Sequence, residues 1–127
     1  MTTIPDSLHY TKEHEWIRVD GDVATIGITD YAQGELGDIV YVTLPTKGSD
    51  VRQMAAFGTV EAVKTVSDLY APVSGTIVDV NAALNDAPDS VNKSPYEGGW
   101  MIKVKMSAPA ELEGLLTPAA YKELIGS

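Results

Sequence analysis

The sequence predicts a mostly β fold, and three observations support this. Its 7 prolines and 11 glycines are spread at turn-like intervals along 127 residues, so the segments between them are short. Asp20-Gly21, a pair typical of hairpin turns, separates two apolar segments that are rich in β-branched residues. From Trp100 to Ser107 two sets of side chains alternate, as in a strand with one buried and one wet face.

The chain then divides into strands between its turn residues. The third predicted strand is dense in β-branched and aromatic residues and stops at Pro45, while Pro72 and Gly75 precede the fifth. We expect the last strand to bury Trp100, Ile102, Val104 and Met106, and to expose Met101, Lys103, Lys105 and Ser107. In order, the predicted strands are 16–19, 23–28, 39–44, 56–63, 76–81 and 100–107.

Helical signals are few and local. Thr29 is a suitable N-cap for a short helix that runs to Leu36 and ends at Gly37. Near the C-terminus, Thr117 precedes a proline at the first helical position, which predicts a helix over 119–125. Another short helix is predicted over 109–116, so the segment from about 108 to 125 is largely helical. We expect residues 1–127 to form a single domain.

Composition excludes several classes of function. With 9 basic and 18 acidic residues the net charge is −9, which argues against binding the nucleic-acid backbone. No run of about 18 apolar residues is present, so a membrane span is not expected. The absence of cysteine excludes a disulfide framework and a thiolate metal site. The N-terminal residues resemble neither a signal nor a transit peptide, so we expect a bacterial cytoplasmic protein.

Motifs of catalysis are also missing. The sequence contains no nucleophile elbow, zinc-protease motif or phosphate-binding glycine loop, so we expect a protein that is not an enzyme. His9 and His14, flanked by glutamates, are the candidates for a metal site. Two solvated histidines in an N-terminal loop are the simpler interpretation.

Lys64 lies in the most informative segment, Val60 to Asp68. A weak internal echo relates the strands before Lys64, around Val51 and over 56–63, to those after it, around 69–71 and over 76–80. Such an arrangement would place this lysine at a central hairpin turn. An ordinary exposed lysine is one interpretation. A lysine on a tight turn also has a mobile four-carbon stem, so it can serve as a point of attachment.

Several motifs occur in order and with regular spacing along the chain. They are His14-Glu15-Trp16, Gly27-Ile28-Thr29-Asp30-Tyr31-Ala32-Gln33, Leu36-Gly37-Asp38-Ile39-Val40-Tyr41-Val42, the segments 61–64 and 67–75, Val80-Asn81, Val91-Asn92 and Ser94-Pro95-Tyr96-Glu97-Gly98-Gly99-Trp100. Together they resemble the H-protein of the glycine cleavage system, a lipoyl carrier, and the resemblance covers roughly residues 8 to 125. It departs at Ala62, where the family often has serine, and this change could affect recognition by a lipoylating enzyme.

This resemblance implies a barrel-sandwich hybrid fold of the biotinyl/lipoyl type, with lipoate bound covalently to Lys64 and Glu61 in the recognition motif. It implies a shuttle that takes the aminomethyl group of glycine from the glycine decarboxylase (P-protein) to the aminomethyltransferase (T-protein). A dihydrolipoyl dehydrogenase then reoxidises the arm, and a lipoylating enzyme is a further partner. The absence of cysteine fits, since a protein thiol could exchange with the dithiol.

Glu15 is a candidate contact for the aminomethyl group. A carboxylate beside a partly closed cleft could hold the ammonium while its neighbours exclude water. A solvated glutamate next to a core Trp16 is the alternative. For the whole chain, the alternatives are a biotin carboxyl carrier-like domain, in which methionines would be expected in place of Val63 and Thr65, and an unmodified lipoyl-like binding module.

Overall fold

A computed structural model describes residues 3–126, in which nine strands and a few short helices form the fold. The six strands predicted between turn residues are all present, each shifted by no more than two residues at its ends, and the strand expected around 69–71 begins three residues earlier. The strands are β1 His9–Tyr10, β2 Glu15–Asp20, β3 Val23–Ile28, β4 Ile39–Thr43, β5 Asp50–Val51, β6 Ala56–Ala62, β7 Val66–Tyr70, β8 Gly75–Val80 and β9 Ile102–Met106.

The strands form two antiparallel sheets that enclose the main core. One sheet has the order β1-β2-β3-β9-β8-β5, and the other has the order β4-β6-β7. Strand β5 pairs with β8 and β6 pairs with β7, which is the structural counterpart of the internal echo in the sequence. The predicted mostly β, barrel-sandwich fold is confirmed.

The short helices cover the edges of the sheets. Helix α1, Asp30–Leu36, begins at the predicted N-cap, where the Thr29 hydroxyl accepts a hydrogen bond from the Ala32 amide. Helix α2 spans Ser90–Lys93 and helix α3 spans Pro118–Ile125. Two 3₁₀ turns, Ala82–Asn85 and Pro109–Gly114, complete the set, so the predicted helix over 109–116 is a shorter and tighter turn. No helix within residues 3–126 is long and apolar enough to cross a membrane.

A second core lies where α3 packs on the outer side of β1 and β2. It contains Tyr10, Trp16, Tyr96 and Tyr121, and Tyr10 stacks on Tyr121 with ring centroids 4.7 Å apart. Gly27 lies against the indole of Trp16, where a Cβ would be only 2.7 Å from Nε1. The ring of Trp16 therefore occupies the space that any other residue at Gly27 would need.

The predicted alternation of the last strand is confirmed only from Ile102 onward. Met101 is predicted to lie on the wet face, but it is fully buried in the main core. Its backbone bonds both to Ile26 of β3 and to Asn81, which follows β8. Trp100 is only half-buried, and its ring lies beneath the Lys103 ammonium at 5.0 Å. The pattern failed here because the strand begins two residues later than predicted.

Candidate functional site

Lys64 lies in the tight turn that joins β6 to β7, as the sequence predicts. The Ala62 amide donates to the carbonyl of Thr65 at 2.7 Å and closes the turn, with Val63 and Lys64 as its loop residues. The Val63 amide donates to the carbonyl of Asp38 at 3.1 Å, which ties the turn to the loop after α1. A short backbone network therefore holds the lysine at the end of the three-stranded sheet.

The Lys64 side chain is exposed, and its ammonium has no hydrogen bond or salt bridge within residues 3–126. Its Cε lies 3.7 Å from the position that a Cβ on Gly37 would take. Gly37 ends α1 with a φ of 82°, a left-handed conformation that favours glycine. The end of α1 thus leaves room for a long side chain that swings from the hairpin.

A cleft of about 220 Å³ lies beside this hairpin. One wall is formed by residues 13–15, the second by Ile28 and one face of α1, and the third by Val60 of β6 with residues 67–69 of β7. Ser67 is three residues along β7 from Lys64, which corresponds to roughly 10 Å of extended strand. The cleft is therefore within reach of a lysine lengthened by an acyl chain.

Glu15 is the most unusual side chain in the cleft, because it is a carboxyl group with 1% of its surface exposed. Its Oε1 accepts a hydrogen bond from the Thr11 hydroxyl at 2.6 Å, and its Oε2 accepts a longer one from the Tyr70 amide at 3.4 Å. Burial raises the pKa of Glu15 from 4.5 to about 8, and the hydrogen bonds from Thr11 and Tyr70 offset this only in part. The expectation of a solvated glutamate is wrong.

The cleft is acidic as well as partly apolar, and it is called the acidic cleft below. Besides Glu15, it is lined by Glu13, Glu35 and Asp68, and the described residues of its lining include no lysine or arginine. The apolar side chains of Leu36, Val60 and Leu69 line other parts of the cleft. Such a lining suits a hydrocarbon chain that ends in a small cation.

His14 differs from the expected solvated loop residue. It is half-buried, lines the acidic cleft, and its Nδ1 lies 2.9 Å from the hydroxyl of Tyr121. Burial lowers the pKa of His14, against the opposing charges of Glu13 and Glu35. Within residues 3–126 no cluster of three or more histidine, aspartate or glutamate side chains could hold a metal ion. His9 does not line the acidic cleft.

Sequence reasoning missed two contributors to the site. Thr11 both donates to the Glu15 carboxylate and accepts from the Glu15 amide at 3.1 Å. The four-residue spacing of a threonine and a glutamate across a turn was the available signal. Tyr70 contributes only its backbone amide, and no side-chain pattern indicates such a contact.

The two sheets, with an exposed lysine on the turn of a central hairpin, define a lipoyl-like barrel-sandwich domain. The family model described as "Glycine cleavage H-protein" matches residues 8–127. The glycine cleavage system H protein of Staphylococcus carnosus (strain TM300) is 57% identical over 123 residues, covering 97% of this chain and 98% of that protein. The crystal structure of a glycine cleavage system H protein from Mycobacterium marinum superposes with a TM-score of 0.91 at 42% identity, covering 98% of this chain and 100% of that one.

The chain belongs to the glycine cleavage H-protein family, so the resemblance read from the motifs is confirmed. It is a carrier component of the glycine cleavage system and not a catalyst.

Proposed function

We propose that this chain carries lipoate, bound as an amide to the Nζ of Lys64, and shuttles the aminomethyl group of glycine between enzymes. The observation that supports it best is the position of Lys64: exposed, without a protein partner in residues 3–126, and on a hairpin turn beside the acidic cleft. Glycine decarboxylase would supply the cargo, aminomethyltransferase would remove it, and dihydrolipoyl dehydrogenase would reoxidise the arm.

The residues around Lys64 fit a lipoyl arm. When bound, the lipoyl group supplies a sulfur that accepts the one-carbon cargo and later releases it. Amide formation removes the positive charge of Lys64, so the extended side chain no longer needs to remain in water. The apolar walls of the acidic cleft, including Leu36 and Val60, can then cover the hydrocarbon part of the arm.

Glu61 is proposed as part of the surface that a lipoylating enzyme recognises. It is exposed three residues before Lys64, opposite Val66 on one side and Tyr41 on the other. Its carboxylate therefore stands on the outer face of the three-stranded sheet, next to the acceptor lysine. Ala62 is buried with 4% of its surface exposed, so the departure from the family's serine lies beneath that surface.

Glu15 is proposed to hold the ammonium of the aminomethyl cargo. The carboxyl group is buried and has no cationic partner within residues 3–126. A buried carboxylate is costly unless it is paired, so an ammonium that enters the cleft would stabilise the ionised form strongly. The same enclosure keeps water from the cargo, whose loss by hydrolysis releases ammonia.

Reconstitution tests the carrier proposal. Glycine-dependent reduction of NAD⁺ would be measured with purified decarboxylase, aminomethyltransferase and dihydrolipoyl dehydrogenase, with tetrahydrofolate as the one-carbon acceptor, together with this chain after lipoylation. Lys64→Arg should fold normally, since an exposed turn tolerates substitution within about 0.5 kcal/mol, yet it should support no turnover because a guanidinium forms no amide. Lys47→Arg, at an exposed loop lysine, is the control and should behave as wild type. Turnover by Lys64→Arg would contradict the proposal.

The role of Glu15 has its own test, in which the carrier is loaded enzymatically, the decarboxylase is removed, and ammonia release is followed. Hydrogen bonds to charged groups contribute about 1.5–3 kcal/mol, so Glu15→Ala should release ammonia roughly ten- to a hundredfold faster. Lipoylation should be unchanged, because the aminomethyl ammonium that Glu15 would hold is not yet present at that step. Glu13→Ala removes an exposed carboxylate from the same cleft and should have the smaller effect. Equal rates for Glu15→Ala and wild type would exclude the role.

A further inference from the structure

A buried tyrosine of the C-terminal helix connects two walls of the acidic cleft without lining it. Tyr121 is completely buried, and its hydroxyl lies 2.9 Å from His14 Nδ1 and 2.7 Å from the hydroxyl of Thr29. These partners are 107 and 92 residues away in the sequence. One hydroxyl group therefore joins the turn before β2 to the N-terminus of α1.

Each partner determines the position of a cleft element. His14 has a φ of 69°, a left-handed conformation that is uncommon for histidine, and it directly precedes Glu15. The His14 carbonyl also accepts a hydrogen bond from the Thr29 amide at 3.0 Å. Thr29 caps α1 by accepting from the Ala32 amide at 3.2 Å, and α1 supplies the second wall. The contact at Tyr121 thus stabilises a turn and a helix start that form two adjoining walls of the cleft.

The direction of donation follows from burial. Thr29 is fully buried, and within residues 3–126 its hydroxyl has no acceptor other than Tyr121. The Thr29 hydroxyl therefore donates to Tyr121, because a buried proton without an acceptor is costly. Tyr121 then donates to Nδ1 of His14, which accepts only while the imidazole is neutral and carries its proton on Nε2. The lowered pKa of His14 agrees with this arrangement.

We propose that Tyr121 is a positioning residue for the acidic cleft: its hydroxyl fixes the His14 turn, and with it Glu15, against the N-terminus of α1. The C-terminal helix is in this way part of the apparatus that protects the cargo, although it contributes no group to the cleft. The inference rests on the proposed function, since it assigns Tyr121 a role in holding the loaded arm.

The first test uses the unlipoylated protein. Tyr121→Phe keeps the ring that stacks on Tyr10 and removes only the hydroxyl. Amide hydrogen exchange should become about 3- to 10-fold faster at Thr29 and Ala32, whose hydrogen bonds depend on this contact of the Tyr121 hydroxyl with His14 and Thr29, which is called the clamp below. Exchange should stay unchanged at Ile77 in the distant strand β8. An equal acceleration at all three amides would mean that the hydroxyl serves only global stability and would overturn the proposal.

Tyr10→Phe is the matched control. Its hydroxyl is also buried in the second core and donates to the carbonyl of Pro5, but it touches neither wall of the cleft. This variant should leave the exchange of Thr29 and Ala32 as in wild type. The same local acceleration in Tyr10→Phe would show that any loss of a hydroxyl in this core has the effect, and it would remove the case for Tyr121.

The second test measures ammonia release from the loaded carrier. Tyr121→Phe should release it about 3- to 10-fold faster, with the rate of lipoylation unchanged. Thr29→Val removes the hydrogen bond to Tyr121 from its other end and also the cap of α1, so it should accelerate release at least as much as Tyr121→Phe. If Glu15→Ala accelerates release and neither clamp variant does, the inference is wrong while the role of Glu15 stands. If Glu15→Ala also has no effect, the role of Glu15 fails, and the exchange experiment alone decides about Tyr121.

Discussion

Replacement of Glu15 by glutamine should change how stability depends on pH. Burial raises the pKa of Glu15 from 4.5 to about 8, so the folded protein keeps a proton that the unfolded chain releases. The stability due to this proton is complete below the unfolded pKa and is lost as pH rises toward the folded value. Glutamine cannot ionise, so Glu15→Gln should lack this loss of stability.

The size of the difference in stability follows from the distance between the unfolded and folded pKa values of Glu15. Each pH unit between the two pKa values costs the wild type about 1.4 kcal/mol of unfolding free energy. From pH 5.5 to pH 7.5, the wild type should therefore lose about 3 kcal/mol relative to Glu15→Gln. Other groups, including His14 with its lowered pKa, contribute to both proteins and cancel in the difference.

Urea unfolding of the unlipoylated proteins at pH 5.5, 6.5 and 7.5 measures this difference. Glu13→Gln, at an exposed carboxylate of the same cleft, is the control. The charge of Glu13 is a smaller cause of the raised Glu15 pKa than burial, so this variant should keep most of the wild-type loss of stability between pH 5.5 and 7.5. A wild-type minus Glu15→Gln difference that stays constant within about 0.5 kcal/mol would refute the reasoning. It would mean that water reaches the Glu15 carboxylate and that the group ionises near its ordinary pKa.

Two further predictions concern recognition and packing. Glu61→Gln should slow lipoylation about 2- to 5-fold, as expected for the loss of one exposed charge contact. Ala62→Ser, beneath the surface, should change the rate less. The formation of the lipoyl adduct over time measures both rates. Gly27→Ala should cost about 1–3 kcal/mol of unfolding free energy, because its Cβ would meet the buried ring of Trp16. Gly34→Ala, in open space on α1, should instead stabilise the protein by about 0.5–1 kcal/mol, and a loss at Gly34 similar to that at Gly27 would contradict this explanation.

The strands could be predicted where a local pattern determines them. The Asp20-Gly21 turn and the runs of β-branched residues around it lead directly to the β2–β3 hairpin. Strand β5 is expected around Val51 only from the similarity of the chain before and after Lys64. The two-residue strand β1 could not be predicted, because two residues show no alternation. Tyr10 of β1 also forms an isolated bridge with Leu116 at the far end of the chain.

The same distinction applies to the site. The turn at Lys64 is a local feature of β6, β7 and two loop residues, and the sequence predicted it. The Glu15 carboxyl group is enclosed in part by the backbone of Tyr70, which is 55 residues away. The local motif around Trp16 therefore does not predict that Glu15 is buried. The half-burial of His14 is not predicted for the same reason, since its partner Tyr121 lies on the last helix.

Mass spectrometry of the chain produced in a lipoate-sufficient host tests the central claim most directly. The intact mass should show one lipoyl amide per chain, and peptide mapping should place it on Lys64, whose side chain stands free on the hairpin turn. Lys64→Arg from the same host should show the unmodified mass alone. An adduct on another lysine, such as Lys47, or an unmodified wild-type chain in a host that lipoylates its own carriers, would contradict the account.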